Sequence, residues 1–361
     1  MRGHRARSAA ANYVAREYGV RAGTPITAAR RLCPDGVFLE GEPEKYVFTC
    51  IRINEICRAF TPRVETFSID ESFLDVTTTM HLFGGPVSTA RKLKARIRDD
   101  LGLACTVGVG PNKLLAKTAS KLGKPDGLRV LTAEDLPEHY HPLPVDDLYG
   151  MGEQTARKLK LLGIATIGDL ARTPADLLER LFGVIGPMLR DADNGIDDSP
   201  LLTDDEQPEA KSVGNSYTLA EDTRWPRRVL AVLLGLCSKV GRRMRKDGYA
   251  GRTVTLTLRY ANYQTVVRAR TVEAPINLDR DLFDAASAIL ADVWDRRRAV
   301  RLLGVSVSNI LLPGQPRQQA LFDSDYRRRY RQALASADGL RDRYGEAIVT
   351  WGSLVRTHEV I

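Results

Sequence analysis

Residues 191–209 place the strongest constraint on what this chain can fold into: they hold eight acidic residues, no Lys or Arg, and both Pro200 and Pro208. Such a stretch cannot form a buried core and reads as an exposed linker. Separate folded parts are therefore expected on either side of it. A length of 361 residues agrees, since it suits two or three domains. An apolar content of 43% is enough for real cores and argues against global disorder.

The net charge of +8, from 53 basic and 45 acidic residues, favours an anionic partner such as nucleic acid. The excess is concentrated: residues 224–252 carry nine Lys or Arg and a single acid, Asp247. A patch of that kind suits DNA phosphates, although a solvated helix face has the same composition. The five cysteines, Cys33, Cys50, Cys57, Cys105 and Cys237, show no CxxC spacing. That disfavours a disulfide framework or zinc ribbon and fits reduced thiols in a cytosol. His139 and His141 sit beside Pro142 in a loop-like stretch, a poor setting for metal ligands. No apolar run is long enough to span a membrane, and Met1-Arg2-Gly3-His4-Arg5 has no apolar stretch behind it to make a secretory signal.

Residues 7–42 read as a short strand followed by helical pieces, with Tyr13 and Arg16 on one helix face. Residues 43–62 have helical periodicity, with Val47, Ile51, Ile56, Cys50 and Cys57 expected toward the core. Residues 63–77 read as strand, turn and strand, and residues 86–101 as a basic amphipathic helix. Residues 104–110 read as a buried strand ending in glycine, after which Pro111-Asn112 opens a helix from Lys113 to Leu122. Strands on both sides of helices indicate an α/β layer. Gly150-Met151-Gly152 precedes a helix over 153–162, and Gly183 to Gly186 forms a weaker second copy of that punctuation. Beyond the acidic stretch, the pattern predicts a helix over 226–246 and strands over 252–260, 265–272 and 300–311. With a further helix over 282–296, these make an α+β sandwich with two helices on one face. A charged helix with Tyr330, Leu334, Ala337, Leu340 and Tyr344 as apolar positions closes the chain.

The chemistry centres on Asp70 and Glu71, adjacent acids between two apolar strands. In a hairpin turn both can reach one site, whereas neighbours in a regular strand point apart. Carboxylates there are hard oxygen ligands suited to Mg²⁺, and a pair of such ions can stabilise the attacking and leaving oxygens of phosphoryl transfer. Taken alone, the same two residues are ordinary solvated turn residues.

The neighbouring motifs tip that balance. Ser68-Ile69-Asp70-Glu71-Ser72-Phe73-Leu74-Asp75 resembles the most diagnostic motif of the Y-family DNA polymerases, and the segment Ala11 to Val20 resembles their fingers motif. Gly108-Val109-Gly110-Pro111-Asn112-Lys113-Leu114-Leu115-Ala116-Lys117, continuing to Gly127, resembles their palm motif. Order and spacing agree over almost the whole chain. The resemblance implies an α+β multidomain, right-hand polymerase: fingers 1–42, palm 43–131, helix-hairpin-helix thumb 132–200, acidic linker 201–210, little finger 211–312 and tail 313–361. It implies template-directed, low-fidelity translesion synthesis with two Mg²⁺ ions held by Asp70 and Glu71. Tyr13, Arg16 and Lys124 would contact the dNTP. Gly150, Gly152, Arg242, Arg243, Arg245 and Lys246 would meet primer–template DNA. Gln318-Gln319-Ala320-Leu321-Phe322 resembles a bacterial sliding-clamp peptide, with Gln318, Leu321 and Phe322 as its anchors and Gln319 replacing the commoner leucine. A cytoplasmic monomer without membrane contact completes the expectation.

One feature departs from the family. Its first strand carries another metal-binding aspartate and a bulky aromatic that excludes ribonucleotides, and no Asp or Glu precedes Glu17 here. The expectation is a site with two of three carboxylates and a palm lacking its central strand, either because Met1 lies downstream of the true start or because the chain is truncated. The alternative function that follows is a catalytically impaired DNA- and clamp-binding accessory protein.

Overall fold

A computed structural model describes residues 6–314 and 325–355. The clamp-type residues Gln318, Leu321 and Phe322 lie outside the described residues. The chain divides into two compact units: residues 40–208, and residues 1–39 together with 209–361.

The N-terminal segment carries two short helices, α1 (Tyr13–Glu17) and α2 (Ile26–Leu32). The Asn12 side chain caps α1 by accepting from the Ala15 amide at 2.9 Å. In place of the expected short strand there is a single bridge between Arg7 and Pro25.

In residues 40–208 the elements are α3 (Pro43–Arg58), β1 (Val64–Thr66), β2 (Ser72–Leu74), α4 (Pro86–Leu101), β3 (Val107–Val109), α5 (Lys113–Leu122) and β4 (Leu128–Val130). Four helices follow: α6 (Glu153–Leu161), α7 (Ile167–Ala171), α8 (Ala175–Phe182) and α9 (Ile185–Asp193). The strands form two separate sheets, β1–β2 antiparallel and β3–β4 parallel across the α5 crossover. Both hairpin strands are shorter than the sequence suggests. The Glu71 carbonyl accepts the amides of Phe67 and Ser68 at 3.0 Å, which ends the ladder at the Thr66–Ser72 pair.

Helix α3 corrects one expectation. Ile56 and Cys57 are buried, but Val47 and Ile51 are about half exposed. Only the last turns of α3 share the small core with Phe60, Val64, Leu93 and Ile97, because the hairpin beneath it is three residues long on each side. Leu114 and Leu115 of α5 share a second core with Leu159, Ile167 and Leu178, which makes the strand region and the four helices one body.

The acidic stretch is also not a free linker. Asp193 is fully buried, Asp197 accepts the Leu114 amide at 3.0 Å, and Asp204 and Glu206 pair with Arg58 and Arg63 at 2.5 and 3.3 Å. Its acids found basic partners far away in sequence, which composition within the segment cannot reveal.

The C-terminal elements are β5 (Ser212–Thr223), α10 (Pro226–Lys246), β6 (Ala250–Tyr260), β7 (Thr265–Ile276), α11 (Asp279–Val293) and β8 (Val300–Leu311). They are followed by α12 (Asp325–Tyr344) and a last turn, α13 (Gly352–Val355). The sheet order is β5-β8-β6-β7, all antiparallel, with α10 and α11 packed over one face. Val254, Leu256 and Leu258 point to that core, as their alternation with threonine predicts. Strand β5 was not legible: its Ser, Gly, Asn, Ala and acidic residues lack strong strand propensity, and pairing with β8 imposes the conformation.

Candidate functional site

The β1–β2 hairpin presents Asp70 and Glu71 at its tip. Asp70 is exposed and accepts from the Ser68 hydroxyl at 2.9 Å. Glu71 is about one-third exposed and pairs with Lys117 of α5. Three anchors fix the hairpin beneath them. The Ser72 hydroxyl donates to buried Asn54 of α3 at 2.8 Å. Glu65, only 7% exposed, accepts from Lys113 and from the Leu202 amide, each at 3.0 Å. Phe67, Phe73 and Tyr149 form an edge-to-face trio, with centroids 5.6 to 6.4 Å apart, joining the hairpin to the Gly150 turn. Burial, followed by the nearby Glu65 carboxylate, raises the Tyr149 hydroxyl above its ordinary pKa.

Helix α5 is held hard against β3. A methyl group on Gly108 would stand 2.0 Å from the Ala116 carbonyl oxygen, and one on Gly110 would stand 2.7 Å from the Ala116 amide. The palm-type glycines therefore let the helix approach the strand, and Asn112 caps it by accepting the Leu115 amide at 2.9 Å. Lys113, Lys117, Glu65 and Asn54 carry much of this arrangement, and sequence reasoning gave none of them a role. The available signal was the i, i+4 spacing of the two lysines.

The donor chemistry at the tip fits a hard divalent cation, with two carboxylates able to leave further positions to water and phosphate oxygens. Among the described residues no cluster of three His, Cys, Asp or Glu side chains surrounds one position.

The remaining site residues stand as follows. Lys124 is exposed, in a loop tied to α4 by Asp126, which accepts from Lys94 at 2.8 Å and pairs with Arg98. The Lys94 hydrogen bond leads in holding the Asp126 carboxyl below its ordinary pKa. In the other unit, Tyr13 and Arg16 are both exposed on α1, with the guanidinium 4.8 Å from the ring centroid and Arg16 Nε donating to Ala11 at 2.9 Å. The two share a face, as their spacing predicts. Gly150, at φ +83°, and Gly152, which precedes α6, are exposed with open space above them. That leaves backbone amides accessible to a phosphate.

Two basic residues depart from expectation. Arg245 donates to fully buried Asp279 at 2.7 Å and to Asp338 of α12 at 2.8 Å. Arg242 pairs with Asp342 at 2.8 Å and with Glu346. These guanidiniums bind the C-terminal helix to α10, so they hold the fold rather than face a ligand. Arg243 and Lys246 remain exposed. A surface that sequence reasoning overlooked is the sheet face opposite α10 and α11. Strand register puts Gly214, Ser216, Gly304, Ser306, Thr255 and Thr257 together there, with Arg259 at its border. The small residues are required: a methyl on Gly214 would meet Ser306 Cβ at 2.6 Å. The result is a hydroxyl-lined face that a sugar–phosphate backbone can approach closely.

The sequence profile of the impB/mucB/samB family matches residues 2–121, and that of its C-terminal domain matches residues 210–321. DNA polymerase IV of Moorella thermoacetica is 42% identical over 94% of this chain and 84% of the relative. DNA polymerase IV of Pelotomaculum thermopropionicum is 41% identical over 93% and 83%. Among solved structures, a chimeric Y-family polymerase built from Dbh and Dpo4 superposes with a TM-score of 0.71 at 28% identity, covering 86% of this chain and 89% of that one. An insertion ternary complex of Dbh DNA polymerase gives 0.56 at 28% identity, covering 84% and 87%. The chain belongs to the impB/mucB/samB family, the Y-family DNA polymerases of the polymerase IV type.

Proposed function

We propose that Asp70 and Glu71 hold divalent cations, Mg²⁺ in the cell, at the nucleotidyl-transfer site of this chain. The chain is a DNA-directed DNA polymerase of the translesion type, as its family membership states. The observation that carries the site assignment is the hairpin itself: a tip anchored by Asn54, Glu65 and an aromatic trio carries two adjacent carboxylates, Asp70 exposed and Glu71 one-third exposed beside Lys117. Bound cations there would favour ionisation of the primer 3′-hydroxyl and neutralise charge on the α-phosphate. Asp70 would serve both cations, and Glu71 the one nearer the primer. Tyr13, Arg16 and Lys124 would contact the triphosphate, Arg by paired hydrogen bonds and Lys as a point charge.

Gly150 and Gly152 would meet the DNA backbone through their amides; in the other unit, the hydroxyl-lined sheet face, Arg243 and Lys246 would each offer DNA contacts of their own. Primer–template DNA and a dNTP are the substrates. Gln318, Leu321 and Phe322 would dock on a sliding clamp, the enzyme acting as a monomer in the cytoplasm. Free cysteines and the lack of a membrane-spanning helix among the described residues are compatible with that location. The accessory-protein reading has no support among relatives named DNA polymerase IV.

Primer extension with Mg²⁺ tests the assignment. Asp70→Ala and Glu71→Ala each abolish extension while primer–template binding persists. Extension unchanged in both variants refutes it. Leu321→Ala with Phe322→Ala weakens clamp binding and leaves unassisted extension intact.

A further inference from the structure

We propose that Lys117 is a positioning residue whose ammonium competes with the divalent cation for the Glu71 carboxylate. This rests on Glu71 being a cation ligand. Lys113 and Lys117 lie one turn apart on α5 and both reach toward the hairpin, but their surroundings differ. Lys113 is committed three times: to Glu65 at 3.0 Å, to the Pro200 carbonyl at 2.9 Å, and over the Phe73 ring at 5.6 Å. Lys117 pairs with Glu71, one of the two acids assigned to the cations.

The Lys117–Glu71 pair is 24% and 32% exposed, a setting in which an ion pair adds little to folding. Its effect therefore falls on what else the carboxylate can bind. An ammonium in contact with a carboxylate occupies its lone pairs and repels a second cation at the same oxygens. For a divalent ion a few ångströms away in a half-solvated site, the repulsion corresponds to about tenfold in affinity. The pair also has a moving part and a fixed part. Helix α5 is immobilised by Leu114, Leu115 and Ala119, all at most 2% exposed, and by its close approach to Gly108. The lysine's four-carbon stem can swing away without moving that helix. Without cation, Lys117 keeps Glu71 aligned and relieves its repulsion with Asp70. With cation, the ammonium withdraws.

Mn²⁺ binding to the full chain, read as free Mn²⁺ by electron paramagnetic resonance, tests this without reference to catalysis. Lys117→Met tightens Mn²⁺ binding by about tenfold, and Lys117→Arg, which keeps the charge, leaves it near wild type. In a Glu71→Gln background the gain from Lys117→Met shrinks to about twofold or less. If Glu71→Gln weakens Mn²⁺ binding but Lys117→Met does not tighten it, the competition is refuted and the cation site stands. An equal gain in the Glu71→Gln background also refutes it, because Lys117 then acts as a distant charge. If Asp70→Asn and Glu71→Gln leave Mn²⁺ binding unchanged, the cation assignment fails and the proposal fails with it.

Discussion

Replacing Lys113 by Met isolates a buried charge, and the structure sets the size of the loss. Glu65 is 7% exposed and has two partners, Lys113 Nζ and the Leu202 amide. Removing the cation from a buried pair costs about 3–5 kcal/mol. The retained amide bond holds the expected value near the lower end, about 3 kcal/mol. Loss of the cation over Phe73 adds about 0.5–1 kcal/mol, offset in part by the apolar Met stem. Lys117→Met, in the more exposed pair, should cost under about 1 kcal/mol. Hydrogen exchange resolved by segment is the suitable assay, because Trp225, Trp294 and Trp351 all lie outside residues 40–208 and fluorescence would miss this unit. Protected amides of β1, β2 and α5 should exchange about a hundredfold faster in Lys113→Met. Acceleration of less than about fivefold, or an equal effect from Lys117→Met, would refute the reasoning.

Gly108→Ala should destabilise residues 40–208 by about 3 kcal/mol or more, since its methyl meets backbone rather than a flexible side chain; a urea midpoint within error of wild type contradicts this. Burial pushes Asp193 up to about 7, and its place at the C-terminus of α9 adds an unfavourable dipole. The native chain thus holds a proton that the unfolded chain releases near pH 4, so stability falls as pH rises from about 4 to 7 and then levels. Asp193→Asn should flatten that slope and raise stability at pH 8 by on the order of 3 kcal/mol, read from urea unfolding at pH 5 and 8. Arg245→Met should cost about 3 kcal/mol by stranding buried Asp279. Lys246→Ala should leave stability alone and lower the salt slope of DNA binding by about one, which filter binding across a salt series measures.

Much of this architecture follows from local pattern. Helices α4, α5 and α10 and strand β8 begin and end where capping, proline and periodicity put them, because those signals act within a few residues. Asp70, Glu71, Gly108 and Gly110 stand out in the sequence for a related reason: a tight turn and a close helix–strand approach each demand particular residue types. What pairs with what was not visible. Local composition makes 191–209 a solvated linker and makes Arg242 and Arg245 nucleic-acid contacts. Tertiary structure instead spends the acids on Arg58, Arg63 and the α5 amide, and the arginines on Asp279, Asp338 and Asp342. A charge carries no record of its partner, since Coulomb energy depends on a distance that only folding creates. The hydroxyl-lined sheet face has the same origin, because strand register assembled it from three separate segments. The sequence by itself therefore determined the family, the main secondary elements and the two carboxylates. The tertiary structure decided which charges are paired inside the fold and which remain exposed at its surface.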